Sequence, residues 1–482
     1  MALPRSFVAS VRRLLPHDAV ISEAAQLRTY ECDALTSHRA IPELVVLARS
    51  AADVQAIVSL CNEHAVPFVA RGAGTGLSGG ALPVVGGIVI SLARMTRILE
   101  VDLEHARVVA EPGVTNLEIT KAVAPSGFFY APDPSSQQVC TIGGNVAENS
   151  GGAHCLKHGF TVNAVLAADV VLPDGELVTL SRDDAGPDLL GAFVGSEGTL
   201  GIAVRVVLRV LRVPETVQTL LAAFESTDAA GEAVSQVIAA GVLPAAIEMM
   251  DALTIEAVEA AVAPGYPAGA GAVLIVELDG PTVQVADDRA LVEAICRAAG
   301  AFEIRAAVDA TERALVWRGR KSAFASMGRI STSYYVQDGV VPRTRLPEVL
   351  RSIRELSAEV GLRVASVFHA GDGNLHPLVL YDENLPGESE RAEGLATAIL
   401  DLCINAGGSL TGEHGVGVDK ACSMPKLFGT ADLETMLRLR SAFDPAGLSN
   451  PGKIFPTPRL CGEVPGPYRV HPLERAGLAE RF

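Results

Sequence analysis

The sequence predicts an α+β protein built from two domains. Three observations carry this. The chain has 482 residues, more than one ordinary hydrophobic core accommodates. Glycine-rich loops between short strand-like runs crowd residues 40–210. After Pro214 the texture changes to longer helix and strand pairs, the pattern of a mostly antiparallel sheet with helices on one face. A composition of 49% hydrophobic and 20% charged residues is that of a folded chain.

The opening segment, 1–39, holds an amphipathic helix with Phe7, Val8, Val11, Leu14 and Leu15 along one side. Its arginines also fit a transit peptide, but it is poor in serine and runs directly into ordinary folded sequence. Strand-like runs follow at Glu43–Ala48, Gly87–Leu92, Arg107–Ala110, Ala164–Leu172 and Ile202–Leu211. Val54, Ile57, Val58 and Cys61 give Asp53–Glu63 helical spacing. Beyond residue 214, Leu220–Phe224 reads as a strand and 226–241 as a helix. Further strands lie around Ala246–Met250 and over 272–280. The expected division is 1–39, a first domain at 40–214, a second at 215–440, a return to the first at 441–456, and a loosely packed tail at 457–482.

Charge and cysteine usage exclude several function classes. A net charge of -17 with no basic run of five argues against nucleic acid as a partner. The eight cysteines contain no C-x-x-C pair, which reads as reduced thiols in a cytoplasmic protein and leaves no iron–sulfur spacing. No stretch approaches the ~20 apolar residues that cross a bilayer.

Three glycine clusters carry the first chemical signal. Pro67–Gly80 contains G-x-G-x-x-G at Gly74–Gly79, and bare amides in such a loop can wrap a pyrophosphate. A Rossmann unit needs a helix immediately afterwards, and Pro83, Gly86, Gly87 and a β-rich run exclude one. A second cluster spans Tyr130–Ser136 and Thr141–Gly152, and a third spans Phe193–Ile202. A single loop could be a glycine-rich turn without a ligand, but three in one domain fit a long dinucleotide lying extended.

With these loops, the chain resembles the vanillyl-alcohol-oxidase type of FAD-binding flavoproteins over residues 40–456. Within it the chain is similar to the branch of D-lactate dehydrogenases, 2-hydroxyglutarate dehydrogenases and glycolate oxidase flavin subunits. The resemblance implies an FAD-binding domain of two α+β lobes, not Rossmann, and an α+β cap domain with a mostly antiparallel sheet. It implies FAD contacts at Arg71, Gly72, Ala73, Gly74, Thr75, Gly76, Leu77 and Ser78 in the first loop. Further contacts are implied at Pro132, Asp133, Thr141, Gly143, Gly144, Ser150, Gly151, Glu197, Ile202 and Asn450. Thr75 stands where some relatives tether the flavin through His, so non-covalent FAD is expected; Cys140 and His154 are lesser tether candidates.

In the second domain, His369-Ala-Gly-Asp-Gly-Asn-Leu-His376 places two histidines around an Asp-Gly turn, and Gly412-Glu413-His414-Gly415 follows later. Two neutral imidazoles and a carboxylate suit a divalent transition metal with open positions, although two structural histidines would read the same way. The resemblance implies that His369, His376 and Glu413 hold the metal, zinc first and manganese or iron as alternatives. It makes His414 the catalytic base. Asp372 and Asn374 hold the turn, and Asn374 is also a substrate-binding candidate.

The run Glu312–Phe324 is helical and rich in Arg and Lys, which alone could be a solvated basic face. The resemblance assigns Arg320 to the substrate carboxylate and to catalysis, with Lys321 and Tyr335 as further contacts. Phe324, Val336 and Leu378 stand where relatives acting on 2-hydroxyglutarate hold a second carboxylate. An apolar wall there would leave that carboxylate desolvated and unpaired. The expected activity is therefore oxidation of a short 2-hydroxy monocarboxylate, glycolate to glyoxylate first, by hydride transfer to flavin N5. Expected partners are an iron–sulfur subunit and a second flavin-type subunit, with peripheral attachment at the inner membrane through them. The competing readings are a stand-alone D-lactate dehydrogenase, a flavin-binding subunit without turnover, and a zinc hydrolase. A zinc hydrolase leaves the glycine loops without a use.

Overall fold

A computed structural model describes residues 3–456, so the expected tail at 457–482 lies outside the described residues. The chain divides into two compact units. Unit 1 comprises the chain up to Ser150, Phe160–Arg212 and the chain from Glu413 onward; unit 2 comprises Gly151–Gly159 and Val213–Gly412.

Unit 1 holds strands Val20–Ile21 (β1), Leu44–Leu47 (β2), Phe68–Arg71 (β3), Ile88–Ser91 (β4), Ile98–Asp102 (β5), Arg107–Ala110 (β6), Phe128–Phe129 (β7), Val165–Val171 (β8), Leu177–Ser181 (β9), Ile202–Arg209 (β10) and Leu211–Arg212 (β11). They form a four-stranded sheet ordered β1-β2-β4-β3 and a five-stranded sheet ordered β5-β6-β10-β8-β9. β7 pairs β11 separately. β4 runs parallel to both β2 and β3, so the run after the first glycine loop is indeed a strand rather than a helix. The two sheets give unit 1 its larger apolar cores, one around Val108, Ile119 and Val206 and one around Phe7, Ile57 and Ile90, with a smaller cluster of Leu27, Val45, Val69 and Val89. The opening helix, Arg5–Leu14, buries Phe7 and Val11, while Leu14 is exposed. The late segment joins by backbone pairing, with Ser449 bridging Phe68.

Unit 2 is one sheet of strands Thr216–Phe224 (β12), Ala246–Asp251 (β13), Ala272–Gly280 (β14), Glu303–Ala306 (β15), Ser333–Val336 (β16), Gly339–Val340 (β17), Val364–His369 (β18) and Asn374–Tyr381 (β19). The order is β15-β12-β14-β13-β18-β19-β16, with β17 also on β19, and every pairing is antiparallel. Side chains alternate between the two faces of such a sheet. One face carries Leu220, Met249, Phe368, Leu375 and Val379, packed with the helices Thr227–Ala239, Thr282–Ala298, Leu346–Val360 and Glu388–Asn405 into a single core. The opposite face carries the buried polar residues Glu248, Glu277, His369, Asn374 and His376 among apolar ones such as Ile275 and Leu378, and is called the polar face below.

Two boundaries differ from the expected division. Residues 413–440 belong with unit 1 rather than with the second domain, because Val416 and Gly417 donate their amides to Glu197 and Val418 donates to the Ser78 carbonyl. Residues 151–159 belong with unit 2, where Lys157 pairs with Asp279 and His154 with Glu277. Six described cysteines form no disulfide, whereas Cys422 is disulfide-bonded, a departure from the expected reduced set. Among the described residues no helix is long and apolar enough to cross a membrane.

Candidate active site

The three glycine loops converge within unit 1. A Cβ on Gly72 would fall 2.2 Å from Thr141 Oγ1, so the first and second loops touch only because residue 72 has no side chain. Thr141 caps the helix Ile142–Glu148 that the second loop opens. The third loop donates Gly195 and Glu197 amides to the Val146 and Ala147 carbonyls of that helix. Gly74 and Gly79 have φ near +72° and +71°, a backbone that L side chains rarely adopt.

The loop surroundings fit an anionic dinucleotide. Arg71 Nη1, Ser78 Oγ and Ser196 Oγ are buried with no hydrogen-bond partner, an arrangement that costs free energy unless a ligand or water supplies acceptors. Arg71 Nη2 donates to the Cys32 carbonyl, which aims the guanidinium. Asp33 accepts from the Gly79 amide, and burial lifts its carboxyl to about 6 despite the nearby Arg71. Ala73, Thr75, Gly76 and Leu77 complete the loop without deep burial. Pro132 is buried, with its carbonyl accepting from Asn116, and Asp133 follows it half-buried. Ser150 accepts from Thr161 at its carbonyl and ends the unit 1 segment; Gly151 falls to unit 2.

Four of the residues expected to contact FAD also have partners within unit 1. Both carboxylate oxygens of Glu197 accept backbone amides, from Val416 at 2.7 Å and Gly417 at 2.6 Å. Asn450 Nδ2 donates to the Gly80 and Glu197 carbonyls, and its Oδ1 accepts from Lys453. Ile202 turns its side chain into the apolar core, and the Gly143 amide is taken by the Pro112 carbonyl. Through these partners the four residues help to shape the loop cradle. Beneath it, burial lowers Lys453 to about 7 against the pull of Glu197, and burial together with Glu197 and Asp33 raises Glu148. Cys140 is buried, which pushes its thiol up and away from tethering chemistry.

In unit 2, register places the second motif. His369 pairs with Asn374 and Val367 with His376, so His369, Asn374 and His376 share the polar sheet face. The two imidazoles meet edge to face at 5.0 Å between centroids. Gly373, with φ +81° and its amide on the His369 carbonyl, closes the turn, and Asp372 accepts the Asn374 amide. Asn374 Oδ1 is buried with no partner.

Two buried acids were not singled out from the sequence. Glu248 sits directly opposite His369 and accepts at Oε1 from His369 Nδ1 at 2.8 Å. Its Oε2 takes Arg320 Nε at 2.6 Å. Asp338 Oδ1 lies 3.7 Å from His376 Nδ1, and its Oδ2 accepts from Thr411 Oγ1 and the Gly412 amide. A Cβ on Gly412 would meet Asn374 at 2.4 Å. The Thr411–Gly412 peptide is thus fastened beside His376 within unit 2. The only sequence signals for the acids were a lone Glu in the apolar run Ala246–Met250 and a lone Asp in Val336–Val341.

Arg320 lies in the helix Ala310–Lys321, only 2% exposed, so the solvated-face reading fails for it. Trp317, one turn earlier, donates Nε1 to Glu277, which also accepts from Thr219 and pairs with His154. Burial pulls Glu277 upward, but these donors outweigh it and hold the carboxyl below its ordinary range. Lys321 ends the helix half-buried. Tyr335 is a correction. It pairs with Val379, so it points to the helix-covered face and into the apolar core, while Tyr334 and Val336 take the polar face. Val336 pairs with Leu378, and the Phe324 ring stands 5.9 Å from His376, so the three apolar positions border the histidine pair. His369 turns Nδ1 to Glu248, and imidazole donors oriented in this way suit a divalent transition metal.

Residues 42–181 match a family model described as an FAD binding domain, and residues 213–454 match one described as FAD linked oxidases, C-terminal domain. The chain is 47% identical over 97% of its length to the glycolate oxidase subunit GlcD of Escherichia coli (strain K12), covering 94% of it. It is 39% identical to the Bacillus subtilis (strain 168) subunit of that name, over 90% of this chain and 93% of the relative. It is 33% identical to a D-lactate dehydrogenase of Anaerostipes hadrus, over 86% and 90%. The fold is shared with p-cresol methylhydroxylase, at a TM-score of 0.78, 18% identity, and coverage of 94% and 97%.

Proposed function

The chain belongs to the family of FAD-linked oxidases, and on that premise we propose that it oxidises a short 2-hydroxy monocarboxylate, glycolate to glyoxylate first. It is an FAD-dependent oxidoreductase; bound FAD supplies the acceptor for the substrate hydride. The observation that carries the substrate reading is one sheet face with a histidine pair, a buried arginine behind it and the apolar Phe324, Val336 and Leu378 beside it.

Each residue then has a task. Arg320 grips the substrate carboxylate with the part of its guanidinium not on Glu248. His414 takes the hydroxyl proton, since an imidazole titrates near working pH. His369, His376 and Glu413 would hold a divalent metal, zinc first, which would supply Lewis acidity at the hydroxyl. The apolar wall receives hydrogen or a small alkyl group and rejects a second carboxylate. Arg71, Ser78 and the amides of the first loop hold FAD non-covalently, with Thr75 at the position of the tether in some relatives.

The protein acts in the cytoplasm as one subunit of a larger oxidase, consistent with the subunit names of its relatives. An iron–sulfur subunit and a second flavin-type subunit pass the electrons on and bring it to the inner membrane. The test is anaerobic bleaching of the flavin absorbance near ~450 nm by glycolate, D-lactate, L-lactate and D-2-hydroxyglutarate. Glycolate bleaches fastest and D-2-hydroxyglutarate least. D-lactate is the second reading, because one methyl is worth only ~1 kcal/mol in an apolar pocket. Bleaching mainly by D-2-hydroxyglutarate would overturn the assignment. Chelation abolishes bleaching and leaves the flavin bound.

A further inference from the structure

We propose that Glu248 is a positioning residue that sets the metal ligand and the substrate arginine with one carboxylate. The inference rests on the metal and substrate roles proposed above for His369 and Arg320, and it is carried by the geometry around Glu248. The residue is fully buried in the middle of the sheet, directly across from His369. Its Oε1 and Oε2 lie 2.8 Å and 3.0 Å from His369 Nδ1. Arg320 Nη2 also lies near that nitrogen, at 3.5 Å, and a guanidinium can only donate. An acceptor at 2.8 Å against a donor at 3.5 Å decides the tautomer. Nδ1 carries the proton and gives it to Glu248, so Nε2 is left with its lone pair for a metal.

The same carboxylate fixes the arginine. Oε2 stands 2.6 Å from both Nε and Nη2 of Arg320, which takes one edge of the planar fork. A substrate carboxylate is left with the other edge, in a fixed orientation. The helix carrying Arg320 is held a second time by Trp317 on Glu277, so the guanidinium cannot follow a displaced Glu248 freely. Shifting Glu248 therefore disturbs two binding events that belong to different ligands.

That double effect is the signature to measure. Glu248→Gln presents an amide N–H₂ to one of its two donors, so either His369 or Arg320 loses its acceptor. Metal binding, followed by competition with a chelating dye on the substrate-free holoenzyme, weakens ~10–100-fold, the range typical of lost outer partners of metal ligands. The KM for glycolate rises together with it, while flavin content stays that of the unaltered protein. Arg320→Lys raises KM without changing metal affinity, and Glu248→Asp recovers part of both losses. If Glu248→Gln leaves metal affinity and KM unchanged, the proposal fails. If the unaltered protein binds no metal and His369→Ala changes nothing, the metal reading itself fails, which is a different result. Should the variants not fold, the ¹⁵N spectrum of the His369 ring in the metal-free, unaltered protein decides. A protonated Nδ1 supports the proposal, and a protonated Nε2 overturns it.

Discussion

Gly72→Ala tests the convergence of the glycine loops directly. Gly72 has no left-handed φ, so alanine brings no backbone strain and acts only through its Cβ. That atom would sit 2.2 Å from Thr141 Oγ1, whereas ordinary contact begins near 3.4 Å. Something must move by about 1 Å, and both partners lie in packed backbone. Overpacking of this kind costs about 1–3 kcal/mol, which as lost FAD affinity is about 5- to 150-fold. The assay is an FAD titration of apoprotein, read by flavin fluorescence. Thr141→Ala supplies the internal control. It removes the clashing oxygen and leaves Thr141 Cβ at 3.5 Å, an ordinary contact. Alone, it loses a cap contact of 3.4 Å, worth at most ~1 kcal/mol. The double variant should bind FAD more tightly than Gly72→Ala alone, a coupling of about 1–3 kcal/mol. Near-native FAD affinity in Gly72→Ala, or simple additivity in the double variant, refutes the claim that these loops meet at the cofactor.

Further outcomes follow from other buried groups. Asp251 caps the helix Ala252–Val262, and burial raises its carboxyl from 3.8 to about 6 against the amides of Thr254 and Ser366. Its folded value is the higher one, so the proton's stabilisation is full below about pH 4 and is lost as pH rises through 6. Relative to Asp251→Asn, which does not titrate, the unaltered protein should lose about 2 kcal/mol between pH 4 and 7, measured by chemical unfolding at each pH. Glu197→Gln leaves a buried amide of Val416 or Gly417 without an acceptor, a penalty of about 1–3 kcal/mol next to His414. Its turnover should fall at least ~10-fold, and flavin release on heating should come at lower temperature. Phe324→Arg places a cation at the apolar wall; stopped-flow bleaching should shift by ~10-fold or more toward D-2-hydroxyglutarate over glycolate.

The elements were legible because burial writes a period into the sequence. Strand Arg107–Ala110 matches the structure residue for residue, and the helix expected at Asp53–Glu63 starts only two residues earlier, at Ser50's cap. The segments that change unit were not legible. Residues 151–159 and 413–440 are placed by contacts with partners more than a hundred residues away, such as Lys157 on Asp279 and Gly417 on Glu197. No local pattern records such a partner.

Tyr335 shows why site residues are harder to read than strands. The Tyr334-Tyr335 strand was found, but its register on β19 decides which ring faces the histidines, and a slip of one residue inverts every side chain. Tyr335 went to the core and Tyr334 to the polar face. Glu248 is the converse case. In sequence it is one acid among Ala, Ile and Met, with nothing to separate it from a strand edge. It becomes chemically meaningful only when β13 is laid against β18, which sets it opposite His369 and within reach of Arg320 from a third element. The motif histidines announce themselves by spacing, whereas the acids that orient them are defined by pairing. A search for such residues therefore begins from the register of the strand next to a motif, not from the motif itself.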